Sequence, residues 1–419
     1  MRRHVRRPVC DAGLSRLEDC HAVPRFEAFT GLRYSLSHVR SLEEVISPPY
    51  DVISEPERIA LEGRSPYNVV RLELPHGTAE RYASARRLLD AWRDGGILQR
   101  DSKPAFYGYR MSYRDPLGVP RQTVGVIGAL GLEEPGRGIL PHEETTPKAK
   151  TDRLELIRAT RANLSPIWVL SPTSGLSALL EAPEHPVEHA HDAEGVLHEL
   201  WPITDERSVR SISEAVGANP VLVADGHHRY ETALTFREEL RTESSPLGGE
   251  DYVMALAVEL ADRQLNVQAI HRLIEGLPPG FDIVAGLSEW FDLVPAGPVD
   301  RSILARMEES ATMGVLTADS AWLARPTERT LAAAAYDLDS SRLDVALGSL
   351  PEHNVVYQHG WDDAAAAVAT GAASVAVLLR PATVEQISAV SAGASRMPPK
   401  TTFFWPKPRT GMVIRELSC

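Results

Sequence analysis

The run VLVADGHHRYETALTFREEL, residues 221–240, constrains this chain most. Four apolar residues lead into Asp225-Gly226, and a helical pattern starts at once. A short, continuously apolar strand feeding a helix across one tight turn is the βα unit of a covered sheet. The same alternation recurs along the chain. SPIWVLS (165–171) and DYVMALAVEL (251–260) predict buried strands, and LNVQAIHRLIEG (265–276) a strand entering a turn. FTGLRYS (29–35) and VVRLELP (69–75) also read as strands. AFYGYRMSYRDPLGVPRQTVGVIGALGL (105–132) reads as a hairpin about an Asp-Pro-Leu-Gly turn. ERYASARRLLDAWRDGGIL (80–98) predicts an amphipathic helix with Ala83, Leu88, Leu89 and Trp92 as its stripe, stopped by Gly95-Gly96. HEETTPKAKTDRLELIRAT (142–160) opens as a polar loop and turns helical near Asp152. The expected class is α/β (mixed α+β).

Residues 281–390 change character, with much alanine and few aromatics. There DDAAAAVATG and TVEQISAVSAG predict helices around the buried strand ASVAVLLRP. MPPKTTFFWPKPRTGMVIREL (397–417) predicts a proline-braced loop and a last strand. The expected organisation is a disordered start over 1–24, an α/β core over 25–280 and an alanine-rich α/β region over 281–419.

Bulk properties remove some function classes. The chain has 419 residues and a net charge of −13, which opposes a general nucleic-acid binder. No run of 18 apolar residues predicts a membrane span. Three cysteines, Cys10, Cys20 and Cys419, form no C-x-x-C pair. The basic opening MRRHVRRPVC lacks an apolar signal region, so a cytoplasmic location is expected. The sequence does not set an oligomeric state.

Candidate site residues fall in four segments. In DGHHR, the first amides of a helix have no intrahelical partner and the helix dipole favours an anion there. Gly226 lets the backbone approach a ligand, and Arg229 can add a charge-assisted contact. His227 and His228 diverge by about 100°, so they do not chelate one metal together. Asp225 can cap the helix, hold Mg²⁺ through water or accept a hydroxyl proton. In HEETTPKAKTDR, Lys148 and Arg153 can absorb phosphoryl charge, and Glu143 can act as a base, with His142 and Asp152 beside them. SPPYDVIS (47–54) presents Tyr50 and Asp51 from a stiffened loop. MPPKTTFFWPK (397–407) interleaves Lys400 and Lys407 with Phe403, Phe404 and Trp405, suiting a stacked base and its phosphates, or else core packing. Asn68 and Arg71 are weaker candidates, and His271 reads as structural. All four segments are expected in one pocket.

The ordered set SPPYDVIS, HEETTPKAKTDR, ANLSPIW, VADGHHRYETA, AIHRLI and MPPKTTFFWPK resembles the bacterial and archaeal family known as domain of unknown function 1015, from about residue 25 onward. DGHHR is also distantly similar to the phosphate-binding motif of the ParB, sulfiredoxin and free-serine-kinase superfamily. That likeness implies a ParB/sulfiredoxin-like βα core and covers Asp225, Gly226, His227, His228 and Arg229. Sulfiredoxin chemistry is not expected, because His227 stands where a cysteine would precede His228. The resemblance implies a phosphotransferase or phosphohydrolase acting on a small metabolite, with serine or phosphoserine favoured. Asp225 and His228 would be catalytic, with Glu143 as the base on its chemistry alone, since the superfamily's glutamate does not align to it. Gly226, His227, Arg229, Lys148, Arg153, Lys400 and Lys407 would bind a nucleotide such as ATP or ADP with Mg²⁺. The alternatives are a non-catalytic nucleotide-binding regulator or scaffold, and a metal-dependent hydrolase in which His142, His227 and His228 converge. No nucleic-acid or membrane partner is expected.

Overall fold

The structure, a computed structural model, describes residues 23–77, 80–115, 118–134, 137–141, 148–183, 188–241, 247–392, 397–398 and 400–417. Nearly all of the expected disordered start lies outside them. Two sheets organise the described chain. The larger has nine described strands, in the spatial order Ile139–Pro141, Val221–Asp225, Ile167–Ser171, Tyr252–Glu259, Pro120–Gly131, Phe106–Arg114, Leu197–Ile203 and Glu188–His191, with Phe26–Glu27 pairing onto Pro120–Gly131. It is mixed. Val221–Asp225 runs parallel to Ile139–Pro141 and antiparallel to Ile167–Ser171.

Both faces of this sheet are covered, which explains why its central strands read as unbroken apolar runs. Trp168, Leu170, Leu222, Ala224, Met254, Leu256 and Val258 share one core with the helix Arg81–Asp94. Ile167, Val169, Val221, Val223, Val253, Ala255 and Ala257 alternate onto the other face, against the helices Glu206–Val216 and His227–Leu240. Within Arg81–Asp94 the buried stripe is Ala85, Leu89 and Trp92, while Ala83 faces solvent.

The second sheet holds six antiparallel strands in the order Phe291–Gly297, Ala321–Pro326, Met313–Leu316, Val375–Leu378, Ile270–Glu275 and Asn354–His359. Its faces carry separate cores. One is built with the helices Ile283–Leu287 and Asp339–Leu347. The other is built with Ile303–Ser310 and Trp361–Ala369. The alanine-rich composition of this region follows, since thin helices pack closely on a small sheet.

Two sequence expectations are corrected. VVRLELP forms a short helix, Val70–Glu73, rather than a strand. Buried Asn68 decides this. Its Oδ1 accepts the Val70 amide at 3.0 Å, and its Nδ2 donates to the carbonyls of Glu44 and Ile46. That side chain supplies a local turn, which the apolar composition does not reveal. The two units also divide differently from 280/281. Strand Ile270–Glu275 belongs to the second sheet, and the tail returns to the first unit.

The tail is fastened throughout its length. Phe403–Phe404 pairs with Val267–Gln268 at the junction of the units. Ser47 and Thr410 are bridged, as are Leu32 and Ile414, and Arg415–Glu416 pairs with Ala162–Asn163. Buried Arg409 holds Asp192, and its amide donates to Tyr109 Oη at 3.0 Å. Tyr109 Oη in turn meets His198 Nδ1 at 2.8 Å, while His198 Nε2 lies 2.9 Å from Asp192. Burial alone would raise the Asp192 carboxyl. The His198 and Arg409 contacts outweigh it and hold that group well below the usual carboxylate range.

Ile414 is fully buried, so Ile414→Ala should cost about 2–5 kcal/mol in denaturant unfolding. A cost under about 0.5 kcal/mol, ordinary for a surface change, would show that the tail is not part of this core. His271 supplies a pH signature. Burial, then the charges of Arg272 and His359, push its imidazole down to about 4. An unfolded histidine titrates near about 6.5. The folded value is the lower, so the stability contributed by the neutral ring is complete above about 6.5 and is lost as pH falls towards about 4. Unfolding free energy should decline across that window, and His271→Gln should flatten part of the decline. An identical pH slope in the variant would refute the assignment.

Candidate functional site

The turn after Val221–Asp225 is shaped by two local devices. The pairing with Ile167–Ser171 slips between Val223 and Asp225, so Ala224 is an extra residue opposite the Trp168–Val169 step. Such a bulge re-aims the following side chain. Gly226 then takes φ 91° and ψ 26°, the left-handed region, as N-cap of His227–Leu240. A Cβ there would meet Ile167 Cγ2 at 2.9 Å and Arg229 Nε at 3.1 Å. Only glycine turns the chain so sharply at this spot. The Tyr230 amide makes the first helical bond, to Gly226 O at 3.0 Å, which places the amides of residues 227–229 ahead of the helical ladder.

A cleft of about 840 Å³ opens over this turn. Ala224 to Arg229 line it, together with Tyr50, Asp51 and Val52 from SPPYDVIS. The tail adds Lys400, Thr402, Phe403, Phe404 and Lys407, and the second sheet adds Ile270 and His359. The site therefore lies where the two units and the returning tail meet. His227 and His228 both face it despite their angular separation. Glu143 and His142 lie outside the described residues. Lys148 opens the helix Lys148–Thr160, and its side chain also lies outside what is described.

The charged groups form a chain of contacts. Lys407 Nζ donates to Asp225 Oδ1 and stands 3.7 Å from Asp51 Oδ2. Arg229 Nη2 donates to Asp225 Oδ2 at 2.9 Å, and its Nη1 donates to Ser165 Oγ at 3.1 Å and to the Pro166 carbonyl at 2.6 Å. Ser165 Oγ in turn donates a hydrogen bond to Glu73 Oε1 at 3.2 Å. Arg153 donates to the Glu73 carbonyl at 2.8 Å, pairs with Asp152, and lies 4.3 Å over the Tyr50 ring. Arg153 thus supports the Tyr50–Asp51 loop from behind and does not line the cleft. Lys400 has φ 59°, an uncommon left-handed conformation for a lysine. Its carbonyl accepts from Arg272 Nη2 at 2.9 Å, which pins that turn at the rim.

These contacts set the titration behaviour. Burial would raise the Asp225 carboxyl, but the Lys407 ammonium and the Arg229 guanidinium outweigh it and hold it well below the usual range. Burial opposes charge on Lys407 too, yet Asp225 and Asp51 keep its ammonium above its ordinary value. Burial, then Lys400 and Lys407, lower the His359 imidazole. The cleft thus presents a fixed ammonium and a neutral imidazole around an ionised, fully engaged aspartate.

Phosphate groups fit this arrangement, with Lys407 and the amino end of His227–Leu240 lining the cleft to receive them. Mg²⁺ held by the protein does not. The carboxylates of Asp225 and Asp51 are turned on the Lys407 ammonium, and among the described residues no three His, Cys, Asp or Glu side chains converge on a metal position.

A sequence model of the family described as "Protein of unknown function (DUF1015)" matches residues 26–346. The chain belongs to the DUF1015 family. No curated protein matches this DUF1015 sequence. Among solved structures, a conserved hypothetical protein from Pyrococcus furiosus aligns with TM-score 0.34 at 12% identity, covering 68% of this chain and 91% of that one. A free serine kinase in complex with ADP aligns with TM-score 0.35 at 12% identity, over 70% and 92% of the two chains. SbnI with a C-terminal truncation, from Staphylococcus aureus, gives 0.37 at 12%, over 68% and 85%. Likeness at this level carries no functional argument. No described helix is long and apolar enough to cross a membrane.

Sequence reading missed three residues of this site. Glu73 is 2% exposed and braces Ser165 and Arg153. A lone carboxylate inside the apolar run NVVRLEL was its signal, since glutamate is almost never fully buried unless paired. Ser165 was visible only as part of ANLSPIW, and His359 carried no motif at all. Gly226→Ala should destabilise the chain by about 1–3 kcal/mol, through left-handed strain and the clash with Ile167. Equilibrium unfolding measures this, and a change within about 0.5 kcal/mol, ordinary for a surface substitution, would contradict the geometry.

Proposed function

We propose that the cleft binds the phosphate groups of a nucleotide or small phosphorylated metabolite, and that the chain serves phosphoryl transfer or hydrolysis. One observation carries the reading. The largely buried Lys407 ammonium, with three hydrogen-bond donors, and the amino end of the helix His227–Leu240 line the same cleft, so two groups suited to phosphate oxygens serve one space. Lys400 stands at the rim as a further cation, and Phe403, Phe404 and Ile270 supply apolar wall for the rest of a ligand. ADP or ATP fits this division into a polar and an apolar part. Serine or phosphoserine is the favoured small partner by analogy with the superfamily alone. His228 and Glu143 are the proposed proton acceptors. Asp225 suits that role less, because a carboxylate held below its usual range accepts a proton poorly. In this proposal Asp225 orients Lys407 and Arg229.

The same feature favours a second reading, a nucleotide-binding regulator without turnover. Asp225 is fully engaged by two cations, so it is a poor proton acceptor. A phosphate-release assay on the nucleotide-bound protein separates the two. Steady release supports the enzyme, and tight binding without release supports the regulator.

ADP or inorganic phosphate should raise the melting temperature of the full chain. Lys407→Ala removes a charge-assisted contact worth about 1.5–3 kcal/mol, so it should weaken binding by about tenfold or more. Protection of equal strength in that variant would refute the phosphate assignment.

A further inference from the structure

Two carboxylates of the cleft converge on one point, and that point is already filled. The Lys407 ammonium donates to Asp225, stands 3.7 Å from Asp51 and lies 5.4 Å over the Phe403 ring. Its side chain is only 11% exposed. A divalent ion bound by carboxylates sits about 2.0–2.6 Å from their oxygens. An ion bridging Asp51 and Asp225 would have to share the volume of the ammonium and bear its repulsion. The charge balance agrees. Asp51 and Asp225 face Lys407 and Arg229, two anions against two cations, so no surplus negative charge remains to draw in a metal. Lysine suits this duty because its ammonium has three donors on a flexible stem. One can stay on Asp225 while the others turn to phosphate oxygens.

We propose that Lys407 is a built-in replacement for a protein-held divalent cation, so that phosphate binding in this cleft needs no metal held by the protein. This rests on the phosphate reading given above, and it adds how the ligand charge is met. It predicts that Asp51 and Asp225 act through the lysine and coordinate no ion while Lys407 is in place.

The test uses the full chain with two probes. ADP binding is measured by calorimetry in excess EDTA and again in excess Mg²⁺. The expected result is a dissociation constant that changes by less than about threefold, under about 0.7 kcal/mol. Binding that is tenfold or more tighter with Mg²⁺ would overturn the proposal. Mn²⁺ alone is then titrated against the wild type and followed by electron paramagnetic resonance. No ion abolished by Asp225→Asn should be found, and finding one would overturn the proposal whether or not ADP binds. If ADP and phosphate bind in neither medium, the phosphate reading falls, and the Mn²⁺ titration still decides who occupies the carboxylate pair. Lys407→Met, which keeps the bulk of the side chain, should gain a Mn²⁺ site that Asp225→Asn removes.

Discussion

Asp225 sits between two cations, and most of the site hangs from that arrangement. A carboxylate taken out of water is tolerated only when its charge is matched and its oxygens are hydrogen-bonded. Lys407 and Arg229 do both, one on each oxygen. Each cation is itself held. Arg229 leans on Ser165 and Pro166, Ser165 on Glu73, and Glu73 on Arg153, whose guanidinium carries the Tyr50 ring. The alternation of sign ties a strand end, three helices, a proline loop and the tail into one electrostatic unit. Removing a single member of a buried pair leaves an uncompensated charge, at a cost of about 3–5 kcal/mol. Assembly of the cleft is therefore coupled to closure of the tail.

That coupling explains how the tail is built. It leaves the second unit after the helix Val384–Ala392, lays Phe403–Phe404 against Val267–Gln268, delivers Lys407 to Asp225 and then buries Arg409, Met412, Val413 and Ile414 in the first unit. The Arg409, Asp192, His198 and Tyr109 network anchors the segment just beyond Lys407. An ammonium must stand within hydrogen-bond reach of its partner to orient it. A backbone fixed on both sides of Lys407 meets that requirement better than a surface loop would. The core of the first unit also takes in Leu338, Ala382 and Ile387 of the second, and the tail and the cleft join the two units further.

Much of this was legible in the residues. The strand, turn and helix of 221–240 followed from a change of hydrophobic period across Asp-Gly, and the structure has them as Val221–Asp225 and His227–Leu240. The buried strands Ile167–Ser171, Tyr252–Glu259 and Val375–Leu378 were legible for the same reason. Val70–Glu73 was not, because a single buried asparagine overrides the local pattern there. Among site residues, Asp225, Gly226, Lys407, Tyr50 and Asp51 stood out by motif. Glu73 and His359 did not, because one is a brace behind the cleft and the other a strand end from the opposite unit.

By itself the sequence determined the periodicity of its elements, the glycine at the sharp turn and the presence of charge in DGHHR and in the tail. These are local properties, set by side-chain spacing and backbone freedom within a few residues. Tertiary structure alone decided which charge meets which. Lys407 and Asp225 are 182 residues apart, and their pairing, the bracing of Arg229 by Ser165 and Glu73, and the arrival of His359 at the rim all depend on how the two sheets and the tail close. A guanidinium reads the same in a sequence whether it faces a ligand or a buried carboxylate. Only the packing around it makes the difference.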